Sequence, residues 1–202
     1  MNTPKIIGIT GGIGSGKSYV STLLQQKFGI PVYDCDAEAK RLTATNEEIR
    51  EKLIALVGPE VFDGTTLNKK LLADYLFADI ENASQVNAII HPVVLKDFIK
   101  WTTDNGQQTI VGLESAILYE SGFNDSVDYV LFVDAPEEVR LHRAMLRDAA
   151  SEEQIKARMK MQQPELHRLQ ADFIIDNSSN NDTRLLKQLN QIIHKLTCSK
   201  QS

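Results

Sequence analysis

Apolar residues along the chain follow two alternating patterns. Short, nearly continuous apolar runs, typical of buried strands, lie at residues 5–10, 31–33, 109–113, 129–134 and 172–176. The segments between these runs carry apolar residues at helical spacing, as in residues 19–28. Strands that alternate with helices form parallel sheets whose faces are covered by the helices. The pattern therefore predicts an α/β fold with a parallel sheet and helices on both faces.

Two stretches are longer than a crossover between neighbouring strands requires. Residues 36–105 are mostly helical in pattern and predict a helical subdomain inserted into the α/β core. Residues 140–170, the arginine-rich segment, are charged and helical in pattern and predict a second insertion. Residues 182–196 predict an amphipathic helix that packs on the core through Leu185, Leu186, Leu189, Ile192, Ile193 and Leu196. The core of this single domain then comprises about residues 1–35, 106–139 and 171–202.

The segment Gly11-Gly12-Ile13-Gly14-Ser15-Gly16-Lys17-Ser18, the phosphate loop, matches the pattern G-x-x-x-x-G-K-[ST] at every defined position. It lies between a predicted strand and a predicted helix, the context in which this pattern binds phosphate. Its glycines let consecutive backbone N–H groups point inward, and the helix N-terminus adds partial positive charge. Lys17 is expected to contact the β- and γ-phosphates of a bound nucleotide, and the Ser18 hydroxyl to ligate Mg²⁺. The expected nucleotide-binding residues are Gly12, Ile13, Gly14, Ser15, Gly16, Lys17, Ser18 and Tyr19.

Charge and composition narrow the classes of partner. The chain has 202 residues, a net charge of −5 at pH 7 and a pI of about 5.4. This acidic balance argues against a general nucleic-acid binder, which carries a basic excess. No apolar run approaches the length that spans a bilayer, and the first predicted strand begins too early to leave room for a signal peptide. We therefore expect a cytoplasmic monomer or weak homo-oligomer that binds neither nucleic acid nor membrane, with free thiols at Cys35 and Cys198.

Two carboxylates, Asp34 and Asp36, follow the second predicted strand. In open parallel sheets, ligands bind beyond the carboxyl ends of the strands, and alternate residues of an extended chain point the same way. One carboxylate could accept the proton of a substrate hydroxyl, while the other binds Mg²⁺ through water or caps the helix that starts near Ala37. On local sequence alone, both could equally be helix caps.

Arg140, Arg143 and Arg147 recur at helical spacing after the fourth predicted strand, on a helix that begins near Pro136. Arginines aimed at a transferring phosphate stabilise the charge on its oxygens. The alternative is a solvated helix face on which the arginines pair with acidic neighbours such as Asp148. Local sequence favours the alternative, whereas the presence of the phosphate loop favours the functional interpretation.

Four more residues are weaker candidates for binding. Glu114 ends the third predicted strand, where a substrate or Mg²⁺-linked water could bind, and Asn177 follows the last strand, near the expected nucleotide base. Lys69 follows a predicted turn and could contact an anionic substrate tail, and His91 lies within the helical insertion. Structural roles are equal or stronger alternatives for all four: a strand end, a turn, a solvated face and a core histidine.

Several short motifs occur along the chain in the order found in one enzyme family. Besides the phosphate loop with Thr10, they are Val32-Tyr33-Asp34-Cys35-Asp36, Asp63-Gly64 leading to Leu67, Ile90-His91-Pro92, Leu118-Tyr119-Glu120, Val133-Asp134-Ala135-Pro136-Glu137-Glu138 and Ala171-Asp172-Phe173-Ile174-Ile175-Asp176-Asn177. Together they span almost the whole chain. On these motifs the chain resembles the dephospho-coenzyme A kinase family.

The resemblance implies transfer of phosphate from ATP, with Mg²⁺, to the ribose 3′-hydroxyl of dephospho-coenzyme A, the last step of coenzyme A synthesis. It implies a P-loop kinase core, an acceptor-binding role for residues 36–105 and a mobile lid at residues 140–170. On this likeness the catalytic residues are Asp36 as first candidate for the base, Asp34 as second, Lys17 and Arg140. Further ATP contacts would come from Arg143, Arg147 and Asn177, and acceptor contacts from Asp36, Lys69, His91, Glu114 and Leu118.

Two other function classes use similar parts. A nucleoside or nucleotide kinase would phosphorylate a different acceptor with the same loop. A nucleotide-operated switch is disfavoured, because guanine-specific switches use Asn-Lys-x-Asp and Asn68-Lys69-Lys70-Leu71 lacks the aspartate. An assay with several acceptors separates these classes.

Overall fold

The structure is a computed structural model that describes residues 3–179 and 181–198. The predicted core segments also include residues 1, 2, 180 and 199–202, which lie outside the described residues. The chain divides into two compact units, one formed by Met1–Tyr33 with Asn105–Ser202 and the other by Asp34–Asp104.

The described strands confirm the sequence pattern. In chain order they are β1 (Lys5–Thr10), β2 (Val32–Asp34), β3 (Phe62–Asp63), β4 (Thr66–Leu67), β5 (Ile110–Glu114), β6 (Tyr129–Asp134) and β7 (Phe173–Asp176). The α-helices are α1 (Lys17–Phe28), α2 (Cys35–Thr45), α3 (Glu47–Val57), α4 (Lys69–Ala78), α5 (Ile80–Asp104), α6 (Glu137–Asp148), α7 (Glu152–Lys160), α8 (Pro164–Gln170) and α9 (Asp182–Cys198). Each strand predicted from an apolar run is present, with ends that differ by no more than one residue.

The first unit is built on a five-stranded sheet in the order β2-β5-β1-β6-β7. The pairings of β1 with β5, β1 with β6 and β6 with β7 are parallel, and helices flank the sheet. Ile7 and Ile9 point to the same face because side chains alternate along a strand, and both are fully buried. The predicted α/β class is therefore confirmed.

Helices α1 and α9 supply the apolar side chains that pack with this sheet in one core cluster. From α9 the buried residues are Leu185, Leu189, Ile192 and Leu196, with Leu186 and Ile193 partly buried beside them. This confirms the amphipathic helix predicted for the end of the chain. From α1 the buried residues are Val20, Leu23 and Leu24, so the helix that follows the phosphate loop is held firmly to the core.

The second unit consists of α2 to α5 and an antiparallel hairpin of β3 and β4. Side-chain oxygens cap three of its helices: Asp34 accepts the N–H of Ala37 at 2.9 Å, and Asn46 and Asn68 cap α3 and α4 in the same way. Its buried residues include Ile49, Leu53, Val86, Val94 and Phe98. Among the described residues, none of the helices has the length and apolar character needed to cross a membrane.

Candidate active site

The phosphate loop joins β1 to α1, and its conformation requires glycine at positions that include Gly14 and Gly16. Gly14 and Gly16 have φ angles of 77° and 93°, in the left-handed region that side chains disfavour. A Cβ atom at Gly14 would collide with the backbone carbonyl of Arg140, and one at Gly16 with the side chain of Asn177. The loop is therefore closely surrounded by α6 and by the segment that follows β7.

Lys17 folds back over the phosphate loop from the first turn of α1. Its Nζ donates to the carbonyl oxygens of Gly11 at 2.8 Å and Gly12 at 3.4 Å. The ammonium group thus lies beside the loop, where the sequence predicts phosphate binding.

Ser18 and Glu114 meet at the ends of two different elements. The Ser18 hydroxyl, in the first turn of α1, donates to Oε1 of Glu114 at 2.7 Å, and Glu114 is the last residue of β5 and is buried. A hydroxyl and a carboxylate together are hard oxygen donors, which Mg²⁺ prefers. Both residues were candidates from sequence, whereas their contact, across 96 positions, is visible only in the fold.

The three arginines of α6 contact different partners. The Nε of Arg140 donates to the carbonyl of Ala135 at 3.1 Å, and its guanidinium group lies against Gly12 of the phosphate loop. Arg143 donates to the carbonyl of Asn177 at 2.9 Å. The side chain of Arg147 is 65% exposed and pairs with Asp148 at 2.7 Å. Arg140 therefore reaches the phosphate loop.

Asp148 lies between two arginines and not at the phosphate loop. It also accepts from Arg158 of α7 at 2.8 Å. Hydrogen bonds from Arg147 and then Arg158 lower the pKa of Asp148 to about 2, so the carboxylate stays ionised at neutral pH. The pairing of Arg147 with an acidic neighbour is the alternative that local sequence favoured.

Asn177 and Tyr19 support the surroundings of the phosphate loop. Asn177 is buried, and its Nδ2 donates to the carbonyl of Ser15 at 2.8 Å. The hydroxyl of Tyr19 donates to Asp182 at the start of α9 at 2.6 Å, and this hydrogen bond raises the pKa of Tyr19. Both residues were expected to bind nucleotide, and in the structure their side chains contact protein groups.

A cavity of about 460 Å³ opens beside the phosphate loop at the carboxyl end of β6. Asp134 and Arg168 line it and form an ion pair at 2.9 Å. Its other lining residues include Gly12, Pro136, Arg140 and Ser178. Sequence reasoning did not propose Asp134, Arg168 or Ser178 as functional. The position of Asp134 at a strand end was an available signal, whereas nothing local links it to Arg168, 34 positions later.

A model of the dephospho-CoA kinase family matches residues 5–183 of this chain. The chain belongs to the dephospho-CoA kinase family. It is 50% identical over 188 residues to the dephospho-CoA kinase of Bacteroides fragilis strain YCH46, a match that covers 93% of this chain and 90% of that protein. It is 44% identical over 174 residues to the dephospho-CoA kinase of Porphyromonas gingivalis strain W83, which covers 85% of each.

A solved structure from Thermus thermophilus has the same fold. Its TM-score to this chain is 0.83 at 34% identity, and the match covers 96% of this chain and 98% of that one. This chain, as a member of the dephospho-CoA kinase family, is therefore a phosphate-transferring kinase with a P-loop kinase fold.

The second unit contains four further residues that the sequence proposed for the site. Asp34 caps α2, and Asp36 is an exposed residue of the first turn of that helix. Lys69 is the exposed first residue of α4. His91 lies half-buried in α5, and burial lowers its pKa.

Leu118 lies in the core of the first unit. It is fully buried, and its Cδ2 is 2.9 Å from the position that a Cβ atom at Gly8 would take. Its side chain therefore packs against β1 and has no exposed surface. The family motif had suggested that Leu118 contacts the acceptor, and a buried side chain cannot make that contact.

Proposed function

We propose that this chain transfers the γ-phosphoryl group of ATP to the ribose 3′-hydroxyl of dephospho-CoA, which yields coenzyme A and ADP. The main support for the proposal is the 50% sequence identity to the Bacteroides fragilis dephospho-CoA kinase over 93% of this chain. The phosphate loop and its surroundings supply the groups that the donor side of this reaction requires.

The donor triphosphate binds to the phosphate loop in this proposal. The backbone N–H groups of Gly14, Gly16, Lys17 and Ser18, at and just before the N-terminus of α1, would bind the phosphates, and the Lys17 side chain contributes a positive charge. The N–H groups of Ile13 and Ser15 donate to protein oxygens instead. Arg140 lies beside Gly12 and stabilises the charge on the transferring group, while Arg143 and Asn177 hold the segment after β7 against the loop. The adjacent cavity is polar-walled and has room for the nucleoside of ATP.

Mg²⁺ fits the donor set at the end of β5. The hydroxyl of Ser18 and the carboxylate of Glu114 are oxygen ligands already within hydrogen-bond distance of each other. These two residues would hold the ion, directly or through water. When bound with ATP, Mg²⁺ neutralises charge on the phosphate oxygens.

Asp36 is the proposed base for the acceptor hydroxyl. The carboxylate of Asp34 accepts the Ala37 N–H as a helix cap. Asp36 lies exposed in the first turn of α2, and the family motif makes it the first candidate to accept the proton. Lys69 and His91 remain proposed acceptor contacts in residues 36–105, whereas the buried side chain of Leu118 is left out. Because phosphoryl transfer passes through a loose transition state, positioning and positive charge should contribute more than base strength.

The arginine-rich segment is proposed to act as a lid that excludes water during transfer. A site open to water would hydrolyse ATP instead of phosphorylating the acceptor. We also propose that the enzyme works in the cytoplasm as a monomer or weak homo-oligomer.

An acceptor panel tests the proposed function. ADP release is measured with Mg²⁺, ATP and one of dephospho-CoA, adenosine, AMP or another nucleoside. Dephospho-CoA should give the highest kcat/KM by about 100-fold or more, since a site that hydrogen-bonds one acceptor strongly rejects those that lack its groups. Higher kcat/KM with AMP or adenosine would instead indicate a nucleotide or nucleoside kinase.

A further inference from the structure

One hydrogen bond joins the phosphate loop to the arginine-rich segment. The Oε1 of Gln162 accepts the backbone N–H of Ile13 at 2.8 Å, across 149 positions of sequence. Gln162 lies between α7 and α8, and its own N–H donates to the carbonyl of Met159 at 3.1 Å. The backbone of Gln162 is therefore held at the C-terminal end of α7.

The side chain of Ile13 contacts the same segment. It packs against a small buried cluster formed by Ala144 of α6 and by Ile155 and Met159 of α7. The backbone of Gly14 lies directly against the carbonyl of Arg140. The middle of the phosphate loop is thus held through an amide, an apolar side chain and a close backbone approach, all to residues 140–162.

We propose that Gln162 is a positioning residue that holds the phosphate loop in its ATP-binding conformation. This inference rests on the proposed function for the identity of the ligand as ATP. Gln162 acts through the loop and does not touch the reacting atoms. A loop that is ordered before ATP arrives loses less conformational freedom on binding, so affinity for the triphosphate is higher.

Gln162→Met removes the strong acceptor while it keeps a side chain of similar length. Loss of one such hydrogen bond is expected to raise the Kd and KM for ATP about three- to tenfold. The backbone amide of Ile13, followed by NMR, should exchange with solvent faster by a similar factor, because it loses its acceptor. The KM for dephospho-CoA should stay unchanged, whereas a general loss of folded protein would lower the apparent kcat and leave both KM values as they were.

Two further variants complete the test. Gln163→Met changes the neighbouring exposed glutamine and should leave ATP affinity and Ile13 exchange as in the parent. Gln162→Glu replaces the amide oxygen with a carboxylate oxygen that also accepts a hydrogen bond, so the Ile13 amide should exchange as slowly as in the parent. The exchange measurement on Gln162→Glu tests the proposal even if Gln162→Met does not fold.

Two outcomes overturn the proposal: unchanged Ile13 exchange and ATP affinity in Gln162→Met, or equal changes in Gln163→Met. ATP binding is measured by calorimetry without an acceptor, which separates this test from that of the overall reaction. A parent protein that fails to phosphorylate dephospho-CoA, yet shows the expected Gln162 effects, would refute the proposed acceptor and support the role of Gln162 at the ATP site.

Discussion

At the scale of single residues, the side chains around the phosphate loop differ in what they contact. Lys17 lies over the loop and Ser18 contacts Glu114, which suits both to a nucleotide with its metal ion. Asn177 contacts the loop backbone, so its contribution is to loop geometry. The loop motif predicts the roles of Lys17 and Ser18 because both residues belong to the motif itself. The partners of Asn177 depend instead on how distant strands align.

Asp36→Asn tests the proposed base. The variant should bind ATP as the parent does and should lower kcat by about 100-fold or more, since proton acceptance contributes a factor of this size. Calorimetry gives the ATP Kd, and coupled ADP release gives kcat.

Asp34→Asn is the matched control for the base. Asparagine also caps helices well, so α2 should be preserved and kcat should fall much less than in Asp36→Asn. Near-normal kcat in Asp36→Asn would remove Asp36 from the role of base.

His91 should titrate below its usual pH range. Burial disfavours the charged imidazole and lowers its pKa from 6.5. The unfolded chain therefore binds the proton more tightly, so the stability that neutral His91 contributes is present above pH 6.5 and declines as the pH falls through the lower folded-state pKa. An NMR titration of the imidazole protons measures this directly, and a midpoint at or above 6.5 would contradict it.

At the scale of secondary-structure elements, the apolar runs predicted the five strands of the large sheet within one residue, because β1, β5 and β6 at its centre are mostly buried. The two-residue strands β3 and β4 are too short to give such a run and were not predicted. Helix α6 was also expected, yet spacing alone placed its three arginines together. The structure separates them, because Arg143 contacts the segment after β7 and Arg147 pairs with Asp148. The partner of Arg143 belongs to a distant segment, and the pairing of Arg147 with Asp148 depends on side-chain rotamers. Sequence spacing determines neither.

Arg140→Ala tests which arginine of α6 acts on the phosphates. A positioned arginine contributes about 10³-fold or more to phosphoryl transfer, so kcat should fall by that order. Arg147→Ala is the control on the same helix, and its kcat should stay close to that of the parent because its guanidinium group pairs with Asp148. Equal losses in the two variants would show that the assignment of Arg140 is wrong.

At the scale of the whole molecule, the core of the first unit depends on both ends of the chain, since β1 lies at the centre of the sheet and α9 packs against it. Strand order could not be predicted from local patterns, because it depends on pairings between distant segments. The same holds for the contact of Gln162 with Ile13 and for the ion pair of Asp134 with Arg168. Sequence thus predicted the chemistry of the loop better than the groups that hold it.

Leu189→Ala tests the contribution of α9 to stability. Leu189 is fully buried, and its truncation should lower the free energy of unfolding by about 2–5 kcal/mol. Leu186→Ala, at a partly buried position of the same helix, should cost less. Denaturant unfolding measures both, and the KM for ATP of the folded enzyme should not change. A larger loss in Leu186→Ala would contradict the described packing of α9.

The most direct measurement is to identify the product that the purified chain makes from Mg²⁺, ATP and dephospho-CoA. NMR spectroscopy of the product locates the new phosphate on the ribose, and ADP is quantified in the same sample. We predict one phosphate ester at the 3′-hydroxyl, formed in equal amount to ADP. Absence of product at saturating ATP, or phosphate at another position, would contradict the proposed reaction.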